Sequence, residues 1–142
     1  MTTAVLDASV IVKWIFPHRP GESQSDLALT LLQSIRAGRL DVIQPPHWLA
    51  EVAAVTARLQ PALAEEAVSL LYALEFPVMG EIEVYQRACD LAVSLEQHLF
   101  DTLYHAVALS QSDAVLITAD EQYYRRASRF GGITRLRDFQ PS

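Results

Sequence analysis

The chain has 142 residues and a formal net charge of −6 at pH 7, with 51% hydrophobic and 20% charged residues. Those proportions fit one packed domain spanning residues 1–142 and exclude a disordered chain; the acidic balance argues against a general polyanion binder. Cys89 is the only cysteine, which excludes an internal disulfide and a thiolate metal cluster and fits a reducing, cytoplasmic setting. No basic stretch precedes a long apolar run, and no window approaches about 18 apolar residues, so neither a signal peptide nor a membrane span is expected.

Thr3 to Leu6 predicts a first strand that ends on Asp7, and Ala8 to Ile15 a short helix with Val10, Ile11, Trp14 and Ile15 at helical spacing. Pro17 and Pro20 break the chain between Phe16 and Gly21. Ser23 or Ser25 is placed to cap a second helix with Leu27, Leu31 and Ile35 on one face, ending near Gly38. Asp41 to Ile43 reads as a short strand closed by Pro45-Pro46. His47 to Leu59 reads as a helix that packs Leu49, Val52, Ala53 and Thr56, with Glu51 near the border of its buried and wet faces. Gln60-Pro61 opens a fourth helix, with Leu63, Ala67, Leu70 and Leu71 on its apolar side.

Pro77 to Met79 is a further strand candidate. Glu81 to Leu95 repeats helical spacing through Val84, Ala88, Leu91 and Leu95, and Phe100 to Ser110 does so through Leu103, Ala106 and Val107. Ala114 to Thr118 is aliphatic and β-branched between polar flanks, the pattern of a strand buried on both faces. Asp120 opens a helix through Tyr123, Tyr124 and Ala127, Gly131-Gly132 ends it, and Ile133-Thr134 forms the last strand. Strands alternating with helices in this order predict an α/β protein whose parallel sheet is covered on both faces.

Carboxylates recur at telling places. Asp7 and Asp120 follow strands, and in an open parallel sheet both positions face the same edge. Asp101 lies at a helix start, where the dipole favours a negative charge, and Glu51 reaches inward from a helix. Two like charges about 4 Å apart repel by roughly 4 kcal/mol at an effective dielectric of about 20, so such a cluster calls for a cation. All-oxygen ligands select a hard ion, Mg²⁺ or Mn²⁺. Spacing alone leaves the alternative open that these are four ordinary caps and surface acids.

Four segments in order resemble the PIN-domain family, and more narrowly its VapC-type ribonuclease toxins. They are Val5-Leu6-Asp7-Ala8-Ser9, Leu49-Ala50-Glu51-Val52-Ala53, Phe100-Asp101-Thr102-Leu103-Tyr104 and Leu116-Ile117-Thr118-Ala119-Asp120. The resemblance implies a three-layer α/β/α domain with a mostly parallel sheet of four or five strands. It implies that Asp7, Glu51, Asp101 and Asp120 chelate Mg²⁺ or Mn²⁺ for hydrolysis of RNA, with Ser9 and Thr118 as neighbouring hydroxyls. It also implies a homodimer and a cognate antitoxin. Two positions depart from the family pattern: Ala54 stands where many relatives have Asn, and His105 stands where many have an aliphatic residue.

Lys13, Tyr123, Arg125 and Arg126 are candidate RNA contacts, the last three within an aromatic-basic patch after Asp120. The same residues also read as an ordinary amphipathic helix end. His105 is more simply a partly buried polar residue than a ligand, and Cys89 a core or interface residue. The leucine-rich second and third helices suggest a groove for a partner segment. An aspartyl phosphatase also begins with a strand-end Asp, but it commonly has a second acid two residues on, where this chain has Ser9, and a well-placed lysine, whereas Lys13 is the only one. A dinucleotide site fails because Asp7-Ala8-Ser9 is no glycine-rich turn. A PIN-like module kept for binding, with idle acids, is the non-enzyme alternative.

Overall fold

The computed structural model describes residues 2–140. Its sheet is built from β1 (Thr3–Leu6), β2 (Asp41–Val42), β3 (Ala114–Thr118) and β4 (Ile133–Arg135), in the order β2-β1-β3-β4. All pairings are parallel, with Leu6 opposite Ile117 and Thr3 opposite Asp41. The helices are α1 (Ala8–Ile15), α2 (Ser25–Arg36), α3 (Trp48–Leu59), α4 (Ala64–Tyr72), α5 (Ile82–Leu95), α6 (Leu99–Ser110) and α7 (Glu121–Ala127). They cover both faces, giving the expected three-layer α/β/α architecture with four strands. Parallel strands need such coverings, because both of their faces must leave water.

The two central strands form the dry middle. Val5, Leu6, Leu116 and Ile117 are fully buried, each side chain contributing roughly 1.5–3 kcal/mol on leaving water. Around them α1 packs against α2 and α3, α5 against α6, and α6 against β1 and β3. Among the described residues no helix is long and apolar enough to cross a membrane.

Several local expectations are corrected. Neither Ser23 nor Ser25 caps α2. Gln24 leads into it from the left-handed region at φ 60, and its carbonyl accepts from the Ala28 N–H at 3.1 Å. Leu27 turns outward, while Ala28 and Leu31 are buried. Trp14 Nε1 donates to the Ala28 carbonyl at 2.8 Å, holding that side of α2 against α1. The fourth helix begins with a 3-10 turn, Pro61–Leu63. Of its expected apolar side Ala67 and Leu71 are buried, but Leu63 and Leu70 are 40% and 66% exposed. Cys89 is exposed on α5 rather than in the core. It follows the buried Ala88 by one residue, a rotation of about 100° around the helix.

The segment from Pro77 to Met79 makes one parallel bridge, between Val78 and Gln44, and no strand. β2 stops at Val42, one residue short of the expectation, although the Ile43 N–H still donates to the Ala4 carbonyl at 3.0 Å. From there the Gln44 side chain takes over: its Oε1 accepts from the Leu6 N–H and its Nε2 donates to the Leu6 carbonyl, both at 2.8 Å. Gly132 enters β4 at φ +66, where a side chain would be strained, and a Cβ there would also lie 2.9 Å from Leu109 Cδ2 and push it aside.

Candidate active site

Asp7 sits where β1 becomes α1. Its backbone is extended, and its side chain caps the helix by accepting from the Ser9 N–H at 3.1 Å. The Ser9 hydroxyl donates to Asp7 Oδ1, and the Thr118 hydroxyl, from the end of β3, donates to Asp7 Oδ2. Each hydroxyl oxygen in turn accepts a backbone N–H at 3.0 Å, Ser9 Oγ from Ala119 and Thr118 Oγ1 from Asp120. Asp7 is therefore clasped between two adjacent strand ends. The parallel register dictates this, since Leu6 opposite Ile117 brings Asp7 level with Thr118.

Asp120 caps α7, its Oδ1 accepting from the Tyr123 N–H at 3.0 Å. Asp101 lies in the first turn of α6 and accepts from Gln97 Nε2 at 2.9 Å. Glu51, in the first turn of α3, accepts from the Tyr104 hydroxyl at 2.7 Å. The electrostatics tie these groups together. Burial pushes the Asp7 carboxyl up to about 6, its two hydroxyl partners oppose that, and the charges of Asp120 and Asp101 add to it. Burial also raises the Tyr104 phenol, with Glu51, Asp7 and Asp101 adding to the shift. Tyr123 is raised by burial, then by Asp101, Asp7 and Asp120. Asp7 and Asp101 thus act on both phenols, Glu51 on Tyr104 and Asp120 on Tyr123.

They do not form a ready cage. Among the described residues no three acid, histidine or cysteine side chains are grouped closely enough to hold an ion. Each carboxylate already has its own donor. The donor chemistry nevertheless suits Mg²⁺ or Mn²⁺. Mg²⁺ keeps several waters and is commonly held by one or two carboxylates together with substrate phosphates, so a closed protein cage is not required.

Some candidates are engaged elsewhere. His105 is fully buried. Its Nε2 meets the Gly131 carbonyl at 2.7 Å and its Nδ1 the Tyr123 hydroxyl at 3.0 Å. A carbonyl only accepts, so Nε2 carries the proton and Nδ1 receives that of Tyr123; both nitrogens are satisfied, leaving none for a metal. Tyr123 is 2% exposed, so its ring has no face free for a base. Lys13 is buried in an ion pair with Glu22 at 2.8 Å. Arg125 and Arg126 remain exposed, and Arg126 reaches the Leu95 carbonyl and Gln97 Oε1, both at 3.4 Å. Ala54 lies exposed on α3, with no side-chain donor to offer.

Sequence reasoning missed His47. Its Nε2 donates to the Phe100 carbonyl at 2.9 Å, and its ring lies against Tyr104 with centroids 4.8 Å apart. Burial lowers its pKa, opposed by Glu51, by the Phe100 bond and by Asp101. It therefore stands between the helices that carry Glu51 and Asp101. Its position four residues before Glu51, at the entry to α3, was the available signal. Gln97, four residues before Asp101, and Tyr104, three after it, could also have been found as helical neighbours.

An open parallel sheet with carboxylates gathered beyond its strand ends defines an α/β protein with an acid-lined edge. The chain belongs to the PIN domain family, whose profile matches residues 4–129. Among solved structures it is similar to a toxin–antitoxin complex from Klebsiella pneumoniae, with 14% sequence identity and a TM-score of 0.63, over 96% of this chain and 98% of that one. At that identity the likeness is one of fold. No curated protein matches the chain.

Proposed function

We propose that the protein is a Mg²⁺- or Mn²⁺-dependent endoribonuclease, the VapC-type toxin of a toxin–antitoxin pair, acting in the cytoplasm as one nuclease domain over residues 1–142. The observation that carries this reading is the placement of Asp7 and Asp120 at the ends of adjacent parallel strands of a PIN-domain sheet, with Asp101 and Glu51 in the first turns of α6 and α3. Asp7, Asp101 and Glu51 would hold the ion directly or through water, and Asp120 would complete the set or serve a second ion. When bound, such an ion supplies a more acidic water and charge to offset that growing on the phosphoryl oxygens. Ser9 and Thr118 orient the Asp7 carboxylate and attack nothing; the buried Tyr104 holds Glu51. Water is the nucleophile. The exposed Arg125 and Arg126 are placed to meet phosphates.

A partner reading draws on an apolar groove of about 520 Å³ between α1, α2 and α4, lined by Trp14, Ile15, Leu32, Leu63, Leu70 and Leu74. It fits an apolar antitoxin segment, and the similar structure from Klebsiella pneumoniae is a toxin–antitoxin complex. Ile82, Tyr85 and Val93, exposed on α5, suit a homodimer. Light scattering at high micromolar concentration is expected to give a dimer mass, and a monomer there would remove that part.

The second reading, a binding module with idle acids, is favoured by the hydrogen bonds that already occupy every one of the four carboxylates. Melting curves with and without millimolar Mn²⁺, followed by cleavage of loop-containing RNA, separate the two. A nuclease site is expected to raise Tm with Mn²⁺ by mass action and to cut RNA in a way that EDTA abolishes and Mn²⁺ restores. A flat melting response rejects the metal site. A rise in Tm without cleavage leaves a metal-binding module.

A further inference from the structure

We propose that Gln44 is a positioning residue for the acid site, its side-chain amide acting through Leu6 to set Asp7 relative to Glu51. The proposal rests on the metal-dependent reading of that site. Gln44 is fully buried, unusual for a long polar side chain. Its amide meets both backbone groups of Leu6, the residue before Asp7. This happens where β2 has already ended, so the side chain replaces the missing rung of the ladder. The Gln44 backbone is itself fixed, its N–H donating to the Pro77 carbonyl and its carbonyl accepting from the Met79 N–H, both at 2.9 Å.

The chain then runs directly into α3. His47, three residues on, donates to the Phe100 carbonyl beside Asp101, and Glu51 follows one turn later. One eight-residue stretch, 44–51, thus touches the neighbour of Asp7, touches the neighbour of Asp101 and carries Glu51. The Thr118 and Ser9 hydroxyls orient the Asp7 carboxylate against β3. Gln44 fixes the backbone beneath it from the opposite side of β1, which the β3 bonds leave unheld.

The test uses the full chain and Mn²⁺ alone as probe, with calorimetric Kd and Tm measured in parallel. Gln44→Met keeps the volume and removes both bonds. Gln44→Glu keeps an acceptor for the Leu6 N–H. Leu31→Ala, buried on α2, which carries none of the four acids, is a destabilised control. Gln44→Met is expected to raise the Mn²⁺ Kd at least tenfold, on the order found for outer-shell partners of metal ligands. Gln44→Glu is expected to raise it by a smaller factor, about threefold. Leu31→Ala should lower Tm with Kd unchanged. If the Gln44 variants lower Tm and leave Kd at the parent value, the residue only fills space and the proposal falls; should Gln44→Met not fold, Gln44→Glu decides in the same way. A parent that binds no Mn²⁺ removes the site reading and the proposal together.

Discussion

Asp7→Asn is expected to lower Mn²⁺-dependent RNA cleavage by at least about two orders of magnitude, because an ion contact and water activation are lost together, while removing a pH dependence of stability that the metal-free parent carries. The second effect follows from linkage. The folded-state pKa of Asp7 is raised from 3.8 to about 6, chiefly by burial. The folded protein therefore holds this proton more tightly than the unfolded chain. The stabilisation is fully present below pH 4 and is lost as pH rises through about 6. The loss is on the order of 3 kcal/mol. The amide does not titrate, so the parent should lose ground against the variant between pH 4 and 7. Urea unfolding of both proteins across that window checks it. A stability difference independent of pH would show that Asp7 is not strained by its surroundings, and undiminished cleavage would remove it from the site.

His105→Leu is expected to cost about 2–4 kcal/mol, the scale for stranding buried polar groups. The substitution leaves the Tyr123 hydroxyl and the Gly131 carbonyl without their shared partner. The hydroxyl would then be stranded in a pocket under the influence of Asp101, Asp7 and Asp120. The pH dependence has the opposite sign to that of Asp7. Burial holds His105 below its ordinary 6.5. Its contribution is therefore complete above pH 6.5 and is lost as pH falls through the lower folded value, a loss the leucine variant escapes. A destabilisation under about 0.5 kcal/mol at pH 7.5 would mean that the network is dispensable.

Much of this molecule was legible in its sequence. β1 with Asp7 and α1 behind it, the aliphatic β3 and the parallel order all follow from periodicity and from acids placed after strands. Four acid segments in order sufficed to expect the PIN fold. The unread parts depend on contacts between distant residues. Nothing local marks Gln44 as a surrogate strand, because its partner Leu6 lies 38 residues away. Tyr123 and Arg125 belong to one short helix, yet Tyr123 is claimed by His105, 18 residues earlier, and Arg125 is not. The acids were identified by position, but where a carboxylate points depends on donors such as Gln97 and Tyr104. Leu63 and Leu70 matched a helical stripe that α4 buries only in part, since periodicity marks a face without saying what covers it.

The pairing of Lys13 with Glu22 has a consequence for how a polyanion would approach. Lys13 lies in the last turn of the helix that Asp7 caps, about 9 Å along the axis. Both of the paired side chains are largely sheltered, at 8% and 15% exposure, so the chain's only lysine presents little net charge. An RNA reaching this face would shed counterions to the exposed Arg125 and Arg126 rather than to Lys13. Its association should therefore carry the salt dependence of about two phosphate contacts, with none added by Lys13. Encounter would proceed without long-range steering, and discrimination among RNAs would fall to the shape of the strand that fits against the acid edge.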